Sequence, residues 1–125
     1  MLKHQLTNIN FAINPVFVWP TNGVKINPTF ERKITKIDND HFSLSLSVEI
    51  GPLSENPFFI HADLLGTFEL TNWEEDETSL MIAKENTTAI LFPYLRHAVS
   101  DITSISNLPP YIIPVLNTAK LFKNK

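Results

Sequence analysis

A chain of 125 residues, 43% hydrophobic and 18% charged, can bury about two thirds of its unfolded surface around one core, so residues 1–125 are expected to form a single domain. A formal net charge of -3, with no basic run longer than Arg32-Lys33, lacks the electrostatic footprint of a nucleic-acid binder. With no cysteine there is no disulfide frame, thiolate nucleophile or cysteine zinc site.

The opening residues, MLKHQLTNINFAIN, alternate polar and apolar side chains where a signal peptide would show an unbroken apolar run. No stretch approaches about 18 apolar residues, so membrane insertion is not expected. The sequence reads as a soluble cytoplasmic protein. Residues 6–13 place Ile9, Phe11 and Ile13 in alternation and predict a first strand. A proline-rich crossover, NPVFVWPTNGVKINP, follows. Residues 30–37, FERKITKI, predict a second strand that turns at Asp38-Asn39-Asp40 into residues 41–50. There Phe42, Leu44, Leu46, Val48 and Ile50 fall on one face and Ser43, Ser45, Ser47 and Glu49 on the other, the period of a half-buried strand. Residues 51–57, with prolines at both ends, stop it. Residues 58–70 set Ile60, Ala62, Leu64, Gly66, Phe68 and Leu70 on one face of a fourth strand, with Gly66 marking a bulge or a close backbone approach.

The acidic run Glu74-Glu75-Asp76-Glu77 reads as a solvated loop or helix start. Residues 77–84 are expected to form a short helix. From Ile90 the spacing becomes helical, with Ile90, Leu91, Tyr94, Leu95, Ala98, Val99, Ile102 and Ile105 as one apolar stripe. This main helix should lie on the apolar sheet face and end near Asn107, because Pro109-Pro110 cannot continue it. Pro93 lies in its first turn if it begins near Ile90, or kinks it if residues 86–88 are the cap. Residues 117–122 predict a last short helix. Four strands followed by helices define an α+β class, a four-stranded antiparallel sheet with a long helix and short helices on one face.

Catalytic and metal chemistry are not expected. His4, His41, His61 and His97 lack metal-ligand spacing. His97, Ser100 and Asp101 are helix neighbours, whereas a triad is assembled from separated segments. The three glycines are isolated, so no phosphate loop exists. Asn86-Thr87-Thr88 matches a glycosylation acceptor but reads better as helix-capping chemistry. No cofactor is implied. What remains is apolar supply outside the expected elements: Phe17-Val18-Trp19, Phe58-Phe59 and residues 109–114, either a partner surface or packing under loops.

The motif ILFPYLRHAVSDI, followed by NLPPYIIPVLNTAKLF, resembles the SecB family of bacterial export chaperones. The likeness is strongest at Ile90-Leu91-Phe92-Pro93-Tyr94-Leu95-Arg96, Leu108-Pro109-Pro110 and residues 113–122. It extends to Asn8-Ile9-Asn10-Phe11, Pro28-Thr29-Phe30 and Leu65-Gly66-Thr67-Phe68. The resemblance implies an ATP-independent chaperone, assembled as a homotetramer (a dimer of dimers), that binds unfolded or precursor polypeptides in apolar grooves and serves protein export. The client-binding groove positions it carries over are Trp19, Phe30, Ile34, Tyr111, Ile113 and Phe122, with Arg32 standing where the family has an aliphatic residue. The family docks the translocation motor SecA through acidic side chains on the exposed sheet face. The matching positions here are Asn8, Ala12 and His61, none of them acidic. The alternative is a SecB-like module dedicated to one labile partner, such as an antitoxin, and not coupled to SecA.

Overall fold

A computed structural model of the chain describes residues 1–109, 111–114 and 122. Four strands, β1 (Lys3–Ile13), β2 (Thr29–Lys36), β3 (His41–Ile50) and β4 (Phe58–Glu69), precede one long helix, α1 (Glu77–Ile105), with a 3-10 turn at Leu53–Glu55 between β3 and β4. The α+β expectation therefore holds. Of the last helix expected over residues 117–122, all but Phe122 lies outside the described residues.

The strands form one sheet in the order β1-β4-β3-β2, every neighbouring pair antiparallel. Period-two alternation explains β3 and β4. Phe42, Leu44, Leu46, Val48 and Ile50, with Phe58, Ile60, Ala62, Leu64 and Phe68, are buried beneath α1. Leu70, assigned to the same face, lies beyond the end of β4 and is exposed. Gly66 is a site of close approach, since a Cβ there would stand 2.8 Å from the Phe68 ring and 3.0 Å from Leu91. The strand irregularity falls in β1 instead, between Leu6 and Asn8.

The helix departs from expectation. Two helices with a boundary near Ile90 were predicted, yet α1 runs unbroken from Glu77 to Ile105. Its start is set by Asp76, whose carboxylate accepts from the Ser79 amide at 2.7 Å. The acidic run is thus an exposed loop and helix start, as read. Thr87 and Thr88 do not cap. Their hydroxyls donate back to the Ala83 and Lys84 carbonyls, both at 2.7 Å, which satisfies these side chains inside the helix. Pro93 accordingly sits deep in the helix interior. Ala89, whose carbonyl loses its helical donor to the proline, is exposed like Pro93 itself, so water can serve that carbonyl. The buried stripe is also rotated from the predicted one. Ala83, Leu91, Phe92, Leu95 and Val99 face the sheet, while Ile90, Tyr94 and Ile105 are exposed.

Candidate functional site

The two edges of the sheet present different surfaces. On the inward face of β2, alternation brings Phe30, Arg32 and Ile34 into a row. Phe30 is buried against Phe92, ring centroids 5.4 Å apart. Ile34 is half-buried. Between them the Arg32 guanidinium reaches α1, donating from Nη1 to Thr88 Oγ1 at 2.9 Å and from Nη2 to Glu85 Oε1 at 3.1 Å. Its Cζ lies 4.7 Å from the centre of the Phe122 ring, and Nη2 also donates to the Phe122 carbonyl at 3.5 Å. Phe122 is buried.

The segment after α1 is tied down by the same helix. The Thr103 hydroxyl accepts from the Tyr111 amide at 2.9 Å, and Arg96 Nε donates to the Ile113 carbonyl at 2.7 Å. Ile113 is buried, and half-buried Tyr111 tilts against Phe58 with 6.2 Å between centroids. Burial pushes the Tyr111 hydroxyl above its ordinary pKa. Five of the six groove residues carried over from the resemblance thus lie against β2, α1 or the segment that follows it. Trp19 stands apart in the crossover, packed edge-on against Phe17 and 51% exposed, with Val16 and Val18 more exposed still at 81% and 83%.

At the opposite edge, β1 and α1 border an apolar groove of about 530 Å³ lined by Leu6, Ile9, Leu64, Tyr94, Ala98 and Ile102, among others. The His4 ring lies against the Tyr94 ring, centroids 3.9 Å apart, and bridges strand and helix. Leu6, on one side of the irregularity in β1, and Ile9 and Ile13, which alternate beyond it, are all exposed.

The outward sheet face is polar. His61 stands between two carboxylates, Nε2 at 3.0 Å from Asp63 and Nδ1 at 3.3 Å from Glu49. Asp63 accepts from Ser47 Oγ at 2.5 Å and from Asn8 Nδ2 at 3.4 Å, and the serine bond, chiefly, holds its carboxyl below the ordinary range. Ser47 therefore donates to the aspartate and makes no bond to the histidine, which is not the wiring of a nucleophile and base. His97 pairs with Asp101 at 3.1 Å on the exposed face of α1, as helix neighbours do. Among the described residues no three histidine, aspartate or glutamate side chains converge as metal ligands, and no helix is long and apolar enough to cross a membrane.

Of the three sheet-face positions proposed for docking, Asn8 and His61 meet at Asp63. Ala12 lies farther along β1, opposite Phe59. The sequence reading set Glu49 on the outward face without giving it a role and passed over Glu31 and Asp63, whose outward positions follow from the same alternation that places Leu46 and Leu64 inside. It gave Thr88 to a helix cap and passed over Glu85, and the continuous helix brings both beneath Arg32.

A family model described as preprotein translocase subunit SecB matches residues 9–125. An uncharacterised protein of Methanocaldococcus jannaschii is 30% identical over 99% of this chain and 79% of its own length. The protein-export protein SecB of Orientia tsutsugamushi is 27% identical over 83% of this chain, and that of Acinetobacter baumannii 30% over 74%. The matches span 66% and 62% of those two SecB proteins. Among solved structures, a SecB-like chaperone of Mycobacterium tuberculosis, in complex with a peptide from an antitoxin, superposes with a TM-score of 0.73 at 20% identity, over 91% of this chain and 88% of its own. That likeness concerns the fold.

Proposed function

The chain belongs to the SecB family, and from that premise we propose that it is a single-domain, ATP-independent holdase that keeps non-native polypeptides from aggregating in the cytoplasm. The observation that carries this reading is apolar supply outside the core: an exposed crossover with Val16, Val18 and Trp19, and Tyr111 half-buried between α1 and Phe58 of β4. An extended client can place alternate side chains against such a surface while its backbone pairs with an open edge or with polar groups. Aromatic and aliphatic contacts tolerate many sequences. We assign no catalytic role to any residue.

The same premise supports a homotetramer. Among the described residues no strand pairs with the outer edge of β1, and the groove beside it is apolar, two features that invite a second copy of the chain. Self-association there would leave the exposed crossover for clients. Coupling to SecA is a further part of the proposal. It would use the Glu31, Glu49 and Asp63 carboxylates in place of acidic groups at Asn8, Ala12 and His61.

The test is aggregation of a chemically denatured client, followed by light scattering without nucleotide. Near-stoichiometric protein is expected to suppress scattering, and Trp19→Ala, which removes an exposed side chain, to weaken suppression with the fold intact. No suppression of any of several clients would sink the reading. Because the mycobacterial structure holds an antitoxin peptide, a second reading is service to one labile partner. Recovery of a single dominant protein on affinity purification, with no binding to SecA in a direct titration, would favour it over a role in export.

A further inference from the structure

Arg32 is an unusual side chain to find between Phe30 and Ile34 on an inward strand face. Its side chain is 5% exposed. Glu85 offsets its charge and the Thr88 hydroxyl accepts a second hydrogen bond, so the ion pair alone accounts for a bond between β2 and α1. It does not account for the rest of the geometry. The flat guanidinium carries an aromatic ring, that of Phe122, and donates to the carbonyl of the same residue. Two atoms of the pair, Arg32 Nε and Glu85 Oε2, are buried with no hydrogen-bond partner among the described residues. Buried polar atoms in native proteins are nearly always satisfied, so a spare donor and a spare acceptor on one ion pair call for a physical reason. An extended peptide supplies the complement, since each residue offers one carbonyl acceptor and one amide donor. The ring already seated there indicates the side chain that the guanidinium face accepts.

We propose that the Arg32–Glu85 pair is an aromatic-selecting seat in the client groove, filled in the free protein by the chain's own Phe122. On binding, an aromatic residue of an extended client displaces Phe122, and the client backbone takes up the spare Nε–H and Oε2. The inference rests on the holdase reading and deepens it, because it makes one position of a broadly apolar groove discriminate aromatic from aliphatic residues. It also makes the groove self-occupied, so that clients compete with residue 122 of the same chain.

The experiment measures fluorescence anisotropy of two short, uncharged peptides that differ only in a central Phe or Leu. The wild-type protein is expected to bind the Phe peptide about tenfold more tightly. Arg32→Met combined with Glu85→Gln removes both charges, and should bring the two affinities close to parity by weakening the Phe peptide alone. Arg32→Lys, which keeps a cation beside Glu85 but loses the planar face, should lower the preference in the same direction. Phe122→Leu keeps apolar bulk while loosening the internal occupant, and should tighten the Phe peptide severalfold. Equal affinities in the wild type, a preference that survives the double substitution, or weaker Phe-peptide binding by Phe122→Leu would each overturn the seat while leaving the holdase reading standing. Absence of binding to either peptide overturns the seat as well. Only if denatured clients also fail to be held does the holdase reading fall with it.

Discussion

The two edge strands have the same topological rank and opposite surroundings. β2 turns Phe30, Arg32 and Ile34 inward beneath α1 and Phe122, so that its apolar positions are buried or half-buried. β1 alternates from Ile9 to Ile13, and Phe11 packs half-buried on Phe58, yet Leu6, Ile9 and Ile13 remain exposed, the first two beside an open groove. Apolar alternation therefore states which face of a strand seeks burial. It does not state whether the chain itself provides the cover. Along β2 the cover includes a buried ion pair, and along Leu6 and Ile9 the described residues leave an apolar groove.

The sharpest way to break this contrast is to truncate one apolar side chain on each edge. Phe30→Ala is expected to destabilise the fold by about 3–5 kcal/mol, as loss of a buried phenylalanine does. Leu6→Ala should cost under about 1 kcal/mol, since Leu6 is already 41% exposed. Urea unfolding at low protein concentration checks both, and similar losses would mean that β1 is as much part of the monomer core as β2. Sedimentation of Leu6→Ala, in turn, should show a weakened assembly if β1 joins copies of the chain.

A smaller effect is expected at the helix that covers one edge and borders the other. Asp76→Ala removes the N-cap and should cost about 1 kcal/mol. The loss of thermal stability should be partly restored by Asp76→Asn, which keeps an acceptor.

The smallest effect is electrostatic and lies at the far end of the β2–β3 hairpin. His41 places Nδ1 at 2.7 Å from Asp38 and Nε2 at 2.9 Å from Glu69, and the bond to Asp38, above all, raises its pKa. The same bond lowers the Asp38 carboxyl. The histidine's contribution is complete below its ordinary value of 6.5 and is lost as pH rises through the raised value. The aspartate's is present above 3.8 and fades as pH falls through the depressed value. Between those limits the cluster stabilises most. The melting-temperature difference between wild type and His41→Gln should therefore shrink between about pH 6 and about pH 8, with an unchanged difference ruling out a charged His41.

Much of the fold was legible because β3 and β4 carry a strict period of two, and a pattern of that length specifies both the strand and its buried face. The Gly66 approach was legible for the same reason, as a missing side chain on an inward face. The helix was less so. Asp76 and Ser79 form a cap that the acidic run only hinted at, and Pro93 suggested a boundary that exposure at Ala89 and Pro93 makes unnecessary. Treating Ile90 as a start rotated the expected stripe and hid Glu85 and Thr88 from the β2 side. Of the candidate site, the apolar positions were legible through resemblance, whereas the ion pair under Phe122 was not.

By itself, then, the sequence determined the strand pattern, the inward set of β3 and β4, and the motif that places the chain in its family, because each of these is local or periodic. The tertiary structure alone decided that α1 is continuous, that Arg32 meets Glu85, Thr88 and Phe122, and that Leu6, Ile9 and Ile13 of β1 are exposed. Those outcomes depend on contacts between residues 53, 56 and 90 positions apart, and no local pattern in the chain records which distant segment will arrive to fill a strand's face.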